Sequence, residues 1–204
     1  MRVFTPGFMF CAWHEFGGLD GAHVAYVGVE MRGFISPFRR GVENGTLKVY
    51  SDWSHDGLAL SLLAAEKGLN YAACKSMLDT DTIKTNPYIR EAEDPWHSGK
   101  VCLVPAIYPD VAIIHVHHAD KFGNARIWGP TVNDDSICIA DHKVVVTGGC
   151  IVDTLDIRSN ATQVIIPHYC VDAVCEVPYG ALPGDMPGIY YFDRQLQERV
   201  VRVE

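Results

Sequence analysis

Residues 111–116, VAIIHV, form an almost unbroken apolar run of six residues. That length suits a β-strand buried on both faces and is too short to favour a helix. A chain of 204 residues can bury such a strand inside a single α/β domain. The run then changes character at once. His117, His118, Asp120 and Lys121 follow it, and Gly123 and Asn124 supply a turn before a second short run at residues 125–128. Ligands collect in loops beyond the carboxyl ends of strands in open α/β sheets, so a strand ending in HHADKFGN is a site candidate.

The rest of the chain repeats a strand, loop, helix order. Residues 22–29 predict a strand ending at Glu30. Ser36 and Pro37 stand at N-cap and first-turn positions of a short helix that Gly45 closes. Residues 47–50 predict the next strand, and SDWSHDG leads into LALSLLAAEKG, a helix capped by Ser54 or Asp56 with Gly68 just past its end. Residues 76–99 carry Pro87, Pro95, several acids and little periodicity, and predict a long irregular excursion of the functional or interface kind. Strands are expected at 101–106, 111–116, 143–147, 163–166 and 171–177, a short helix at 134–142, and a charged helical tail at 193–203. Residues 1–18 show no clear period and no cap signals.

A formal net charge of -8 and no basic cluster argue against nucleic acid as a partner. Anionic small ligands need only one or two local cations. Seven cysteines, without CxxC spacing and mostly inside apolar runs, fit small buried hydrophobes in a reducing compartment. No stretch reaches the roughly 18 apolar residues of a membrane span, and the start lacks signal-peptide character. The expectation is a soluble, cytoplasmic protein with no membrane contact.

Several constellations invite chemistry, each with a structural alternative. In a strand, His115 and His117 share one face while His118 points away, so at most two metal ligands converge locally. His55, His97, His142 and His168 lack supporting spacing. The histidines are therefore expected to hydrogen-bond neighbouring loops, and no metal is expected. Glu43 in ENG sits where a helix ends and a turn begins, a place that wants Asn and Gly for backbone reasons alone. GGLDG at residues 17–21 lacks phosphate-loop spacing. Glu30 ends a strand and Asp56 lies between a strand and its helix; a carboxylate in such a place serves as base or nucleophile where desolvation raises its pKa. The alternatives are a helix cap for Asp56 and a solvated strand-end acid for Glu30. No GxSxG elbow supports a serine hydrolase.

Taken together, YVGVE with SPFRRGVENG, DGLALSLLAAEKGL, SMLDTDTIKTNPYI with EDPW, PDVAIIHVHHADKFGNARIWG, and VDAVCEVPYGALP with GIYYFD resemble one family in order and spacing. It is the family I coenzyme A transferases, and specifically the A (alpha) subunit of the glutaconate and 3-oxoadipate type. The resemblance covers residues from about 24 to 193. It implies an open three-layer α/β/α sandwich with a largely parallel sheet, a single alpha-subunit domain over residues 1–204, and a hetero-oligomer with a CoA-transferase B (beta) subunit. It also implies covalent chemistry on a Glu of the beta subunit, which attacks an acyl-CoA thioester and passes CoA to an acceptor carboxylic acid. Coenzyme A is then substrate rather than resident cofactor.

On this resemblance Ser54 and His55 lie near the substrate. Relatives that hydrolyse or ring-open CoA thioesters place a working acid near SHDG, which makes Asp56 the first candidate base and Glu30 the second. Three departures from the family pattern stand out: the opening strand, glycine loop and helix are absent or reduced to residues 1–18, Leu182 replaces a usual His, and Gly149 and Cys150 stand where an acidic pair is common. A missing strand leaves an exposed sheet edge. Two alternatives to a transferase role therefore stand beside it: a subunit of a CoA-thioester hydrolase using Asp56, and an inactive structural partner or fragment.

Overall fold

The computed structural model describes residues 2–4, 17–29, 33–140 and 142–202. The chain is α/β, and its backbone packing divides into two compact units, one of Met1–Ser61, Tyr71–Pro105 and Asp193–Glu204 and one of Leu62–Asn70 and Ala106–Phe192.

In the first unit β1 (Arg2–Phe4), β2 (Gly21–Val24) and β5 (Lys48–Asp52) form a parallel sheet in the order β1-β2-β5. The edge of β2 is thus paired by Arg2–Phe4 in a segment whose sequence shows no strand period. β3 (Gly28–Val29) and β4 (Gly33–Phe34) make a small antiparallel pair. The single strand expected over 22–29 is therefore broken, and the register between β2 and β5 shifts at Ala22/His23. β6 (Tyr71–Cys74), β8 (Lys100–Pro105) and β7 (Arg90–Glu93) form a separate antiparallel sheet in the order β6-β8-β7.

The helices follow the predicted pattern, except that Ile35 and not Ser36 stands at the N-cap of the first, which has no side-chain cap. α1 (Ser36–Glu43) has Pro37 in its first turn, where the missing N–H costs nothing. α2 (His55–Glu66) is apolar nearly all round, as a buried helix must be, with Leu58 and Leu62 inaccessible to water. Both stop where Gly45 and Gly68 adopt left-handed backbone, at φ 74° and 67°. The excursion at 76–99 holds a one-turn helix, α3 (Thr82–Thr85), and β7. Leu19, Ala22, Val24, Val27, Ile35 and Leu47 form this unit's apolar core.

In the second unit β9 (Ala112–Asp120), β11 (Val144–Val152) and β12 (Ala173–Glu176) run parallel, with the two-residue β10 (Ala125–Arg126) antiparallel at one edge, in the order β10-β9-β11-β12. The apolar run at 111–116 enters the interior strand of this sheet, but it is not buried on both faces as expected: Ala112 and Val116 are inaccessible, while Val111 and Ile113 are 50% and 60% exposed. α4 (Asp134–Ala140) and α5 (Thr154–Ser159) complete the unit. Its core joins Ala112, Val116, Ala119, Ala125, Val144, Val146 and Ile166. The strand expected at 163–166 is a single 3-10 turn, Ala161–Gln163, followed by one isolated bridge from Ile166 to Ala125. The C-terminal α6 (Arg194–Arg202) packs on α1 in the first unit.

Among the described residues no helix is long and apolar enough to cross a membrane. The described cysteines are free, with Cys102 and Cys138 buried as expected; Cys150 and Cys175, however, are exposed and do not fit the buried-hydrophobe reading.

Candidate functional site

The parallel strands β2 and β5 deliver Tyr26 and the segment 53–56 to the same end of their sheet. Below this mouth lies an aromatic floor. Trp53, almost wholly buried, donates its indole N–H to Ser51 Oγ at 2.6 Å, and Ser51 Oγ is also 2.6 Å from Nδ1 of buried His23. Tyr88 lies edge-on to His23 at 5.6 Å between ring centroids and stacks on Trp53 at 6.2 Å. Buried Asn86 donates to Asp52 O at 2.6 Å and accepts the Tyr88 N–H at 2.9 Å, which ties the PYI segment to the end of β5.

Ser54 is the helix cap. Its hydroxyl accepts the Gly57 N–H at 2.9 Å and lies 2.5 Å from Ser76 Oγ. Gly57 has a packing reason: a Cβ there would stand 2.5 Å from Met77 Cε and 3.1 Å from Ser54 Oγ. Met77 and Asp79 adopt left-handed backbone at φ 72° and 58° without being glycine, a conformation that costs roughly 1–3 kcal/mol per residue and gathers at functional turns. The turn is held by the Thr80 N–H and hydroxyl, which both donate to Met77 O, at 3.3 and 2.7 Å, and by the Ser54 N–H, 3.4 Å from Met77 Sδ.

With the cap assigned to Ser54, Asp56 is released from that role. It stands exposed in the first turn of α2 and makes no hydrogen bond or ion pair among the described residues. His55, also exposed, lies 6.4 Å from the partly exposed Tyr26 ring. Burial pushes the Cys74 thiol pKa up, and the nearby Asp56 charge adds to the rise. The mouth thus offers a carboxylate, an imidazole and a phenol, none of them desolvated by the described chain. Ser54, His55 and Asp56, consecutive in sequence, stand at this mouth; Glu30 lies outside the described residues. Tyr26 opens YVGVE, one of the segments that carry the resemblance; Ser76 and Met77 carry no signal of their own in the sequence, although SMLDTD lies within the excursion of the functional or interface kind.

Glu43 is exposed and paired with Arg39 at 2.8 Å one turn back on α1, so it belongs to the helix end. Of the strand-end histidines of β9, His117 is internal and His115 and His118 are half-buried. His117 is buried; its Nδ1 accepts the Trp128 N–H at 3.1 Å, which obliges Nε2 to carry the proton donated to Pro187 O at 3.0 Å. Both ring nitrogens are thereby occupied, and burial holds the His117 pKa below its ordinary value. His115 Nδ1 is 2.9 Å from Thr147 Oγ1, and burial lowers its pKa as well, with His117 adding to the effect. Fully buried Asp120 accepts the Phe122 and Asn124 N–H groups, each at 3.0 Å, and the Asn124 side-chain amide at 2.9 Å. Burial alone would raise its pKa, but these donors hold it below the usual carboxylate value.

A family model of coenzyme A transferases matches residues 25–177. The chain belongs to the coenzyme A transferase family. It is 31% identical over 169 residues to the A subunit of 3-oxoadipate CoA-transferase from Pseudomonas knackmussii, an alignment covering 81% of this chain and 59% of that one. It is 41% identical over 180 residues to an uncharacterised protein of Archaeoglobus fulgidus, covering 88% of this chain and 40% of that one. The crystal structure of glutaconate CoA-transferase from Acidaminococcus fermentans superposes with a TM-score of 0.82 at 29% identity, over 91% of this chain and 64% of the other. The chain thus spans between two fifths and three fifths of the length of these two curated relatives.

Proposed function

We propose that this chain is the alpha subunit of a heteromeric CoA-transferase that moves CoA between an acyl-CoA and a carboxylic acid of the glutaconate or 3-oxoadipate kind. In this reading residues 1–204 act as one alpha-subunit domain in the cytoplasm, and the nucleophilic Glu comes from a beta subunit. The partner's carboxylate oxygen attacks the thioester carbonyl, the C–S bond breaks, and CoA thiolate leaves a mixed anhydride. The thiolate then attacks the glutamyl carbonyl, releasing the first acid, and the glutamyl thioester passes CoA to the acceptor by the reverse steps.

One observation carries the proposal: at the mouth at the ends of β2 and β5 the cap residue Ser54 is tied to Ser76, beside the left-handed turn at Met77 and Asp79, while the neighbouring His55 and Asp56 stay open to water. Such a surface is half of a cleft. A covering subunit supplies the nucleophile and the exclusion of water, while His55 and Ser54 address the acyl group and Asp56 is poised beside it.

The test is co-expression with the beta partner and an acyl-CoA panel, followed by borohydride reduction or hydroxylamine cleavage. A trapped thioester on the partner's Glu, with CoA appearing on the acceptor acid, is the expected result. Thioester hydrolysis without a trapped intermediate overturns transfer in favour of water activated by Asp56; no turnover with any thioester leaves the chain a structural partner.

A further inference from the structure

We propose that the second unit carries its own binding site for a small organic carboxylate with an apolar body, between the end of β9 and α5. The last register pair of the parallel strands β9 and β11 is Asp120 with Val152. Beyond it the two chains part, one into the turn at 121–124 and the other into α5, leaving an open cleft of about 490 Å³. That size falls within the roughly 300–1,000 Å³ of small-molecule sites, and the place is where parallel sheets bind ligands.

The lining is amphipathic. Lys121 and Arg158 contribute two cations, and Phe122, Ile151 and Leu155 contribute an apolar wall on which Phe122 is 56% and Leu155 71% exposed. Neither cation has a carboxylate within ion-pair distance among the described residues. Lys121 Nζ instead lies 5.1 Å from the centroid of the Phe122 ring. The acid on the lining, Asp153, is engaged by the backbone: it accepts the Leu155 N–H at 2.8 Å as the cap of α5. The lining sets two cations against one carboxylate, a local excess of positive charge in a chain of net charge -8 that suits an anion from outside.

Both walls are held in place without a ligand. Asp120 fixes the 121–124 turn through its bonds to Phe122 and Asn124. Buried Arg126 donates to the carbonyls of Asp156, Ile157 and Asn160 at 2.6, 2.8 and 3.2 Å, anchoring the far end of α5. A cleft ordered in advance loses little to ligand-induced ordering. The planar fork of Arg158 suits a carboxylate and Lys121 adds a point charge, while the apolar wall requires a hydrocarbon body on the same molecule.

The test titrates the full chain by calorimetry with hexanoate, inorganic phosphate and hexan-1-ol. Hexanoate is expected to saturate one site, with affinity falling about tenfold in Lys121→Gln or Arg158→Gln, equivalent to about 1.4 kcal/mol each. Leu155→Ser is expected to weaken hexanoate and leave the thermal midpoint of the unliganded chain unchanged, since the side chain faces water. The proposal is overturned if hexanoate does not saturate, or if both charge variants bind it as the parent does. Phosphate binding as tightly as hexanoate removes the apolar half of the site; hexan-1-ol binding as tightly, and indifferent to Arg158→Gln, removes the charged half.

Discussion

The ends of β5 and β9 make an instructive pair, because each is a parallel strand that runs out into a crowd of polar residues. At β9 His117 and Asp120 turn inward: both are buried and the polar atoms of their side chains that the turn needs have protein partners, while Lys121 just beyond them is exposed on the cleft beside α5. At β5 only the cap residue is engaged, and His55 and Asp56 stay in water. Polar density at a strand end therefore does not identify a site. What distinguishes the two is whether the fold has already spent the hydrogen-bonding capacity of those side chains on its own backbone.

The sharpest way to break this contrast is Asp120→Ala. It leaves the N–H groups of Phe122 and Asn124 without their acceptor in a buried turn, and the expected loss is about 3 kcal/mol of stability, read from urea unfolding. Asp120→Asn keeps an acceptor oxygen and is expected to recover part of the loss. If Asp120→Ala unfolds at the parental midpoint while activity with the beta subunit collapses, Asp120 belongs to the chemistry and the contrast is wrong.

The inward character of β9 was partly legible before any coordinates. The strand and its Gly-Asn turn follow from composition, though burial on both faces does not hold at Val111 and Ile113, and hydrogen bonding to neighbouring loops is the ordinary fate of strand-end histidines. The partner of His117 was not legible, because Pro187 is 70 residues away and no local pattern encodes such a distance. At the outward mouth the sequence shows only part of the cast. Ser54, His55 and Asp56 carry cap chemistry in plain view, whereas Met77 takes a left-handed backbone that sequence rules reserve for Gly and Asn. β7 was missed for another reason. It is an edge strand with most of its side chains exposed, so neither face needs apolar alternation.

His117→Leu removes the acceptor of the Trp128 N–H and the donor to Pro187 O, with an expected cost of about 2 kcal/mol. It also tests the inward reading through pH. The folded state holds the His117 pKa below that of the unfolded chain, so the unfolded chain binds the extra proton first. The stabilising contribution is complete above the ordinary histidine pKa of about 6.5 and drains away as the pH falls through it. Urea midpoints at pH 7.5 and 5.5 are expected to differ less in His117→Leu than in the parent. An equal fall in both places the acid sensitivity elsewhere, with His115 the next group to replace because burial lowers its pKa in the same direction.

Ser54→Ala takes away the α2 cap and the contact with Ser76, and is expected to cost about 1 kcal/mol. Ser54→Asp, which keeps a capping oxygen, is expected to restore most of the stability. If it restores stability but not activity in the complex, the Ser54 hydroxyl has a further task beyond holding the helix, and the Ser54–Ser76 contact is the place to look.

The smallest expected effect on the fold is the most informative about the mouth. Asp56 is exposed and bonded to nothing among the described residues, so Asp56→Ala is expected to leave stability within about 0.5 kcal/mol of the parent. In complex with the beta subunit the same change is expected to lower turnover by roughly 10²-fold or more if Asp56 moves a proton, with Asp56→Asn no better. A positioning or merely electrostatic role predicts a different split, in which KM rises, turnover holds, and Asn partly substitutes. A large stability loss would place Asp56 with Asp120 among the structural acids, and the difference between the two strand ends would then lie only in burial. Parental activity with parental stability moves the chemistry off this surface altogether, to the beta subunit proposed above.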